Sequence, residues 1–235
     1  MPVLPDLFPA DTSRESLLGA QKLVSEQVII RDDFGELQLI GGVDQAFTDE
    51  RIISCIVVLD YVSLELIDCV FSIQAVNYPY IPTFLSFREG PSILSAFKKL
   101  KTKPDILMVD GAGINHPRSA GIATHIGVAL DMPTIGITKK ILCGSGEEPS
   151  CIGEATPLIY KGCDVGWLLK SQQRSRPIVV APGHRISLES SLSIVKACIR
   201  SHKLPEPIRL AHNYVSEFKR NIGIQNKYMS CLYSG

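Results

Sequence analysis

Residues 37–75 read LQLIGGVDQAFTDERIISCIVVLDYVSLELIDCVFSIQA, and this stretch decides the fold class. It contains three apolar runs rich in β-branched residues, at 37–47, 51–61 and 65–75. The short turn sequences Thr48-Asp-Glu and Val62-Ser-Leu separate them. Runs of this kind bounded by turns predict three strands that pair as an antiparallel meander.

The rest of the chain alternates between helical and strand patterns. A buried strand at 104–110 lies between helices near 87–101 and 118–130, and a second buried strand follows at 134–137. This alternation predicts an α/β fold: a ribonuclease-H-like mixed sheet, with three antiparallel strands then parallel strands, flanked by helices. The remaining predicted elements are a helix at 11–29 that starts with a Thr12–Glu15 capping box, strands near 156–161, 165–170 and 177–181, and helices near 187–201 and 207–221.

The composition favours a soluble protein. With 235 residues and 45% hydrophobic residues, we expect one domain spanning residues 1–235. We see no apolar run of the roughly 18 residues that a membrane span needs, and the N-terminus does not resemble a signal peptide. We therefore expect a cytoplasmic monomer with no membrane partner.

Cysteine usage and charge restrict the chemistry. The seven cysteines form no C-x-x-C pair, which favours free thiols over disulfides or zinc sites. Any metal site must then use oxygen and nitrogen ligands. The formal net charge of +0 does not indicate a nucleic-acid partner, although a local basic groove would be enough to bind phosphates.

Two aspartates accompany predicted buried strands. Asp44 stands among apolar residues in Ile40-Gly-Gly-Val-Asp-Gln-Ala-Phe47, and Asp110 ends the run at 106–110. A buried carboxylate needs a cation or several hydrogen-bond donors. Each aspartate could instead form a turn, but two in one chain indicate a metal site.

Glu89, in Ser86-Phe-Arg-Glu-Gly-Pro91, is a candidate third carboxylate. Ser86 and Glu89 could instead form a capping box, while Pro91, if it opens the helix, would place Glu89 just before it. Three converging carboxylates would suit Mg²⁺, with Mn²⁺ able to substitute. Such an ion can activate water for phosphodiester hydrolysis.

The loop Asn77-Tyr-Pro-Tyr-Ile-Pro82 presents Tyr80 and Ile81 between the prolines Pro79 and Pro82. Prolines stiffen the backbone, so this tip could fill the gap left by an extruded base. The alternative is a connection whose tyrosines pack on the surface.

Further candidates surround the next helix and strand. His116 and Arg118 precede the helix at a position suited to phosphate contact, whereas His125 is better explained by packing. Lys139 follows a buried strand and could stabilise phosphate charge; the alternative is a solvated lysine. His212 could be a metal neighbour or a half-buried histidine.

Together these segments resemble the endonuclease V family. The matching stretches are GGVDQAF at 41–47, PYIPTFLSFREGP at 79–91, DGAGINHPRSAGIATHIG at 110–127, IGITKKILCG at 135–144 and LPEPIRLAH at 204–212. They follow the family's order, and the combination of PYIP with SFRE is highly specific.

The resemblance implies a Mg²⁺-dependent nuclease that recognises hypoxanthine and cuts the second phosphodiester bond on its 3′ side. It implies metal-binding roles for Asp44 and Asp110, a catalytic role for Glu89, a supporting role for Lys139 and a place beside the metal for His212. Tyr80 would be the wedge. The residues implied to line the base pocket are Leu85, Gly111, Gly113 and Gly121.

Some expectations stay open at this point. Thr83 stands where many bacterial members have glycine, and Thr138 replaces a frequent alanine, so substrate preference could differ. A non-cleaving inosine reader and a nuclease of the same fold that ignores base identity are the alternatives. The residues do not distinguish DNA from RNA.

Overall fold

The computed structural model describes residues 4–48 and 50–233, and side chains between residues 6 and 222. The expectation of one domain over 1–235 therefore extends to residues outside this range. The helices are α1 (Leu4–Leu7), α2 (Arg14–Gln27), α3 (Leu85–Lys99), α4 (Ile122–Leu130), α5 (Leu188–Ala197) and α6 (Glu206–Tyr233). The strands are β1 (Leu39–Phe47), β2 (Arg51–Asp60), β3 (Leu66–Ala75), β4 (Ile106–Asp110), β5 (Thr134–Thr138), β6 (Ala155–Tyr160), β7 (Cys163–Leu169) and β8 (Ile178–His184).

The strands form one eight-stranded sheet in the order β3-β2-β1-β4-β5-β8-β7-β6. The predicted antiparallel meander is confirmed for β1, β2 and β3. β4 then pairs parallel to β1, and β5 pairs parallel to β4. This arrangement confirms the predicted mixed sheet. The parallel part ends there, because β8, β7 and β6 continue the sheet with antiparallel pairs.

Helices cover both faces of the sheet, and alternate residues of the central strands serve two cores. On one face, Ile40 and Met108 pack with Ile208 of α6. On the other face, Val43 and Leu107 pack with helices α3 and α4. Central strands buried on both faces explain the nearly continuous apolar runs of the sequence.

Three helix starts differ from the predictions. Ser13, not Thr12, caps α2, and its hydroxyl accepts a hydrogen bond from the Ser16 amide. Helix α3 begins at Leu85 and includes Pro91 in its interior, so Glu89 lies inside the helix and no side chain caps its start. Proline at the first helical position is only a preference, and here the helix starts six residues before Pro91.

Helix α4 begins at Ile122, later than the predicted 118. The residues between Asp110 and this start instead form the irregular loop that surrounds the site. In the part of the chain that the structure describes, no helix is both long and apolar enough to cross a membrane.

Candidate active site

Asp44 and Asp110 lie side by side on the two central parallel strands. The register pairs Val43 of β1 with Val109 of β4, so the next residue on each strand is an aspartate on the same face. Asp110 is the last residue of β4, whereas Asp44 lies within β1 and does not form a turn. One Asp44 carboxylate oxygen accepts a hydrogen bond from the Gln45 amide at 2.7 Å.

Glu89 joins the two aspartates from helix α3. Its side chain is buried, and burial together with the charges of Asp44 and Asp110 raises its pKa to about 8. Burial and Asp44 also raise the pKa of Asp110 to about 6, against the opposing effect of Lys139 and His212. These shifts are the expected result of crowding like charges in a poorly solvated place.

His212 reaches Asp44 from helix α6. Its Nδ1 lies 2.7 Å from Asp44 Oδ2, and its side chain is half exposed. Helix α6 can approach because Gly42 has no side chain: a Cβ there would lie 2.2 Å from the Pro207 backbone. Gly42 therefore admits the helix that carries the histidine.

Lys139 approaches Asp110 from the neighbouring strand. It follows β5 directly, and its Nζ lies 3.8 Å from Asp110 Oδ2. At 46% exposure the ammonium group is partly solvated, so the ion pair contributes little to stability. The Lys139 ammonium group therefore remains accessible to an approaching phosphate.

The chemistry of these donors suits a hard divalent cation. Three carboxylates and one imidazole offer the oxygen and nitrogen ligands that Mg²⁺ and Mn²⁺ accept. Among the described residues, no set of three or more His, Cys, Asp or Glu side chains is arranged so that it could hold a metal ion as it stands. The residues fit such an ion by charge and ligand type.

A cavity of about 390 Å³ adjoins the carboxylates, and Asp110 and Gly111 form part of its wall. Most of its lining is apolar, including Leu85, Ile122 and Leu142. Ser86 also lines it, and its buried hydroxyl has no hydrogen-bond partner among the described residues. A mostly apolar cavity with few polar groups is typical of a small-molecule or base pocket.

The cavity rim carries the proline-flanked loop. Tyr80 is 65% exposed and Ile81 is 39% exposed, and both line the cavity together with Pro82. Large apolar side chains held outward at a cavity mouth cost solvation unless a partner covers them. Their position fits the predicted wedge.

The base of this loop is fixed at Thr83. Its carbonyl oxygen accepts hydrogen bonds from Gln21 Nε2 at 2.6 Å, His116 Nε2 at 3.0 Å and Arg118 Nη2 at 3.1 Å. Arg118 also donates to the Thr83 hydroxyl at 2.7 Å and stacks over Phe84. Thr83 has a φ of +69°, a conformation that costs free energy outside glycine and needs surrounding contacts to hold it.

Sequence comparison then assigns the chain to a family. The family model for endonuclease V matches residues 22–213, which include the three carboxylates of the cluster together with Lys139 and His212. The endonuclease V of Dictyoglomus turgidum is 45% identical over 201 residues, covering 85% of this chain and 88% of that protein. The chain belongs to the endonuclease V family.

Solved structures of endonuclease V agree with the fold. The Streptomyces avermitilis enzyme superposes with a TM-score of 0.86 at 30% identity, covering 92% of this chain and 96% of that one. The Ciona intestinalis enzyme superposes with a TM-score of 0.78 at 25% identity, covering 90% of this chain and 100% of that one. That protein was solved in complex with a 24mer DNA containing an inosine followed by a ribo-adenosine.

Not every residue of this endonuclease V that was expected to bind the substrate lines the cavity. Leu85, Gly111, His116 and Gly121 line it, but Gly113 does not. A Cβ on Gly113 would lie 2.2 Å from the Pro182 carbonyl oxygen, so this glycine serves the packing of its loop against β8. A contribution of Gly113 to the base pocket stays a prediction.

Pro79 and Arg118 also lie outside the lining. Pro79 is an exposed residue of the loop. The Arg118 guanidinium is engaged with Gln21 Oε1 at 2.5 Å and with Thr83, so phosphate contact would require it to give up these bonds. His116 is buried, and burial lowers its pKa to about 4, which leaves it neutral and bonded to the loop at pH 7.

Sequence reasoning missed Gln21, Ser86 and Ile141. Gln21 lies on α2 and is far in sequence from the loop to which it is hydrogen-bonded. Ser86 was interpreted as a helix cap, and Ile141 passed unnoticed although it lines the cavity. The buried polar residue Gln21 on an apolar helix face was the one available signal.

Proposed function

We propose that this endonuclease V is a Mg²⁺-dependent enzyme that hydrolyses inosine-containing nucleic acid at the second phosphodiester bond on the 3′ side of the lesion. The products would carry a 3′-hydroxyl and a 5′-phosphate. The observation that carries this proposal is the continuity of the site. Asp110 belongs to the carboxylate cluster and, with Gly111, to the wall of the cavity.

The cavity would receive the extruded base. Tyr80 and Ile81 at its mouth would occupy the gap left in the stack. Inside, the Ser86 hydroxyl and the backbone near Gly111 would offer hydrogen bonds to hypoxanthine, whose carbonyl adenine lacks. The complex of the Ciona intestinalis enzyme with inosine-containing DNA supports this choice of base.

The carboxylates would hold the metal beside the scissile phosphate. Asp44, Asp110 and Glu89 would be its ligands, with His212 beside them holding Asp44 in place. When bound, Mg²⁺ supplies a Lewis acid that activates water and stabilises the leaving oxygen. Lys139, on the accessible side of Asp110, would stabilise the charge that develops on the phosphate.

The proposal includes both DNA and RNA as substrates. Repair of deaminated DNA and cleavage of inosine-containing RNA both require the same base pocket and the same metal. The ribo-adenosine in the Ciona intestinalis complex supports testing both backbones. Sensing of a 2′-hydroxyl would identify RNA.

The test compares oligonucleotides that carry inosine or adenosine at one position, on DNA and RNA backbones, with Mg²⁺ and with EDTA. We expect cleavage of the inosine strand with Mg²⁺ alone. Asp110→Asn should lose cleavage by at least about 100-fold while it still binds the inosine strand, and Lys98→Ala on the remote surface of α3 should cleave normally.

Each failure has a separate meaning. Equal cleavage of inosine and adenosine would replace the proposal with a nuclease that ignores base identity. Binding without cleavage by the unaltered enzyme would indicate a reader. Normal cleavage by Asp110→Asn with Mg²⁺ would refute the metal assignment.

A further inference from the structure

A second concavity lies on the other side of the segment 139–141. Its volume is about 380 Å³, and it shares Lys140 and Ile141 with the base cavity. Its walls include Lys139 and Arg176. Lys139 therefore connects the second concavity to the carboxylate cluster, because its Nζ lies 3.8 Å from Asp110 Oδ2.

The second concavity is surrounded by cations. Lys139, Lys140 and Arg176 line it. Lys203 lies close by, because its carbonyl oxygen accepts a hydrogen bond from Ser171, three residues after Leu168 of the lining. Burial and then the charges of Lys139, Arg176 and Lys170 lower its pKa. Five basic groups thus crowd one region of a chain whose formal net charge is +0.

These charges are poorly compensated. Glu148 lines the concavity, but Lys140, Arg176 and Lys203 form no ion pair with any side chain that the structure describes. Unpaired like charges held together destabilise a fold unless an anion joins them. The arrangement therefore indicates an anionic ligand.

Hydrogen bonds fix the Lys170 ammonium group and the backbone at Lys203. The Ser171 hydroxyl donates a hydrogen bond to the Lys203 carbonyl oxygen at 2.6 Å, which ties the loop after β7 to the segment before α6. Lys170 Nζ donates to the Ser175 carbonyl oxygen at 2.9 Å within the same loop. Leu168 and Val179 form an apolar floor between the cations.

We propose that this basic groove, formed by Lys139, Lys140, Lys170, Arg176 and Lys203, binds the phosphodiester backbone of the substrate strand beyond the scissile bond on its 3′ side. The inference rests on the proposed function. If the base occupies the cavity and the cut lies on its 3′ side at the carboxylates, the strand leaves the cluster in the 3′ direction. The groove is a charged surface that meets the cluster at Lys139 and lies across the segment 139–141 from the cavity. Its apolar floor suits sugar rings, and its cations suit phosphates.

The test uses the double variant Arg176→Ala/Lys203→Ala, which leaves Lys139 and the carboxylates intact. Binding to single-stranded inosine oligonucleotides is measured in EDTA by fluorescence anisotropy, at several salt concentrations. One substrate has about twelve nucleotides 3′ of the inosine, one has about three, and a third has about twelve nucleotides only on the 5′ side, lengths chosen to include or omit several phosphates.

We expect the double variant to bind the long 3′ substrate about three- to tenfold more weakly than the unaltered enzyme. The slope of log K against log salt should fall by about 1.4, since each lost phosphate contact on a single strand removes about 0.7. The difference between the two proteins should shrink when the 3′ flank is shortened and should not return when the 5′ flank is extended. Lys98→Ala, which removes a charge on α3, should keep the unaltered affinity and slope.

Two results would overturn the inference: an equal loss on long and short 3′ flanks, or a loss that follows the 5′ flank. Failure of the proposed function has a different signature. In that case the unaltered enzyme would not prefer inosine over adenosine, whatever the flank. A double variant that unfolds would be recognised by its thermal melt, and Arg176→Gln/Lys203→Gln, which keeps side-chain length without charge, would then replace it.

Discussion

Replacing Glu89 by glutamine should stabilise the metal-free protein at alkaline pH. In the folded chain the Glu89 carboxyl is buried beside Asp44 and Asp110, and its pKa rises to about 8. In the unfolded chain the same carboxyl titrates near its ordinary value. Because the folded state holds this proton more tightly, Glu89 contributes stability only while it is protonated.

The magnitude follows from the shift. Stability from the proton is complete below pH 4.5 and is lost as the pH rises through about 8. At about 1.4 kcal/mol per pKa unit, the full loss is roughly 3 to 5 kcal/mol. Glutamine is neutral at every pH and has nearly the shape of the protonated acid. Glu89→Gln should therefore match the unaltered protein at pH 5 and exceed it by up to this amount near pH 9.

The assay is urea denaturation in EDTA at pH 5, 7 and 9, with Glu36→Gln at an exposed position as the matched control. Thermal melts with added Mg²⁺ form the second arm. An ion bound by the native state raises its stability, so Mg²⁺ should stabilise the unaltered protein at pH 8 and stabilise Glu89→Gln much less.

Two outcomes would refute this reasoning. If the difference in unfolding free energy between Glu89→Gln and the unaltered protein stayed constant from pH 5 to pH 9, the pKa of Glu89 would not be raised in the folded protein. If Mg²⁺ stabilised Glu89→Gln as strongly as the unaltered protein, Glu89 would not be a ligand.

Three further outcomes are expected. Tyr80→Ala should weaken binding to an inosine-containing duplex by about 1 to 3 kcal/mol through lost stacking, measured by anisotropy in EDTA; unchanged affinity would argue against the wedge. His125, which is buried with Nε2 bonded to the Leu7 carbonyl oxygen, has a pKa lowered by burial to about 4. The free energy of unfolding should therefore fall by up to about 3 kcal/mol as the pH falls from 6.5 to 4. His125→Gln should remove this part of the pH dependence measured by urea denaturation. An unchanged pH dependence would contradict a lowered pKa for His125. Gly121→Ala should cost about 1 to 3 kcal/mol of unfolding free energy in the same urea assay, because the new Cβ would lie 2.2 Å from the Ala112 carbonyl oxygen; a variant as stable as the unaltered protein would show that the loop can move aside.

The sheet could be predicted because its signal is local. Strand periodicity and short turns determine the meander, and apolar runs mark the buried strands that carry Asp44 and Asp110. Once β1 and β4 are adjacent and parallel, the register that pairs Val43 with Val109 makes Asp44 and Asp110 neighbours. The proximity of these two aspartates therefore follows from pattern and topology.

The contacts of Gln21, His116 and Arg118 could not be predicted in the same way. Arg118 precedes a helix, where a phosphate contact is the usual interpretation, but its donors are used by Thr83 and Gln21. Which acceptor a long side chain reaches depends on the packing of α2 against the loop, and no local pattern encodes that packing. The boundaries of α3 and α4 escaped prediction for the same reason, since the irregular loops before them are fixed by distant contacts.

Because Asp110 and Gly111 are consecutive residues, the distance between the carboxylate cluster and the cavity wall is fixed. Asp110 belongs to the carboxylates that we propose to cut the strand, and Gly111 belongs to the wall that we propose to hold the base. Both are anchored to β4, so the span between them cannot lengthen without distorting the centre of the sheet. Substitutions at the cavity mouth can change which base is admitted, yet the number of nucleotides counted from that base to the break should stay the same.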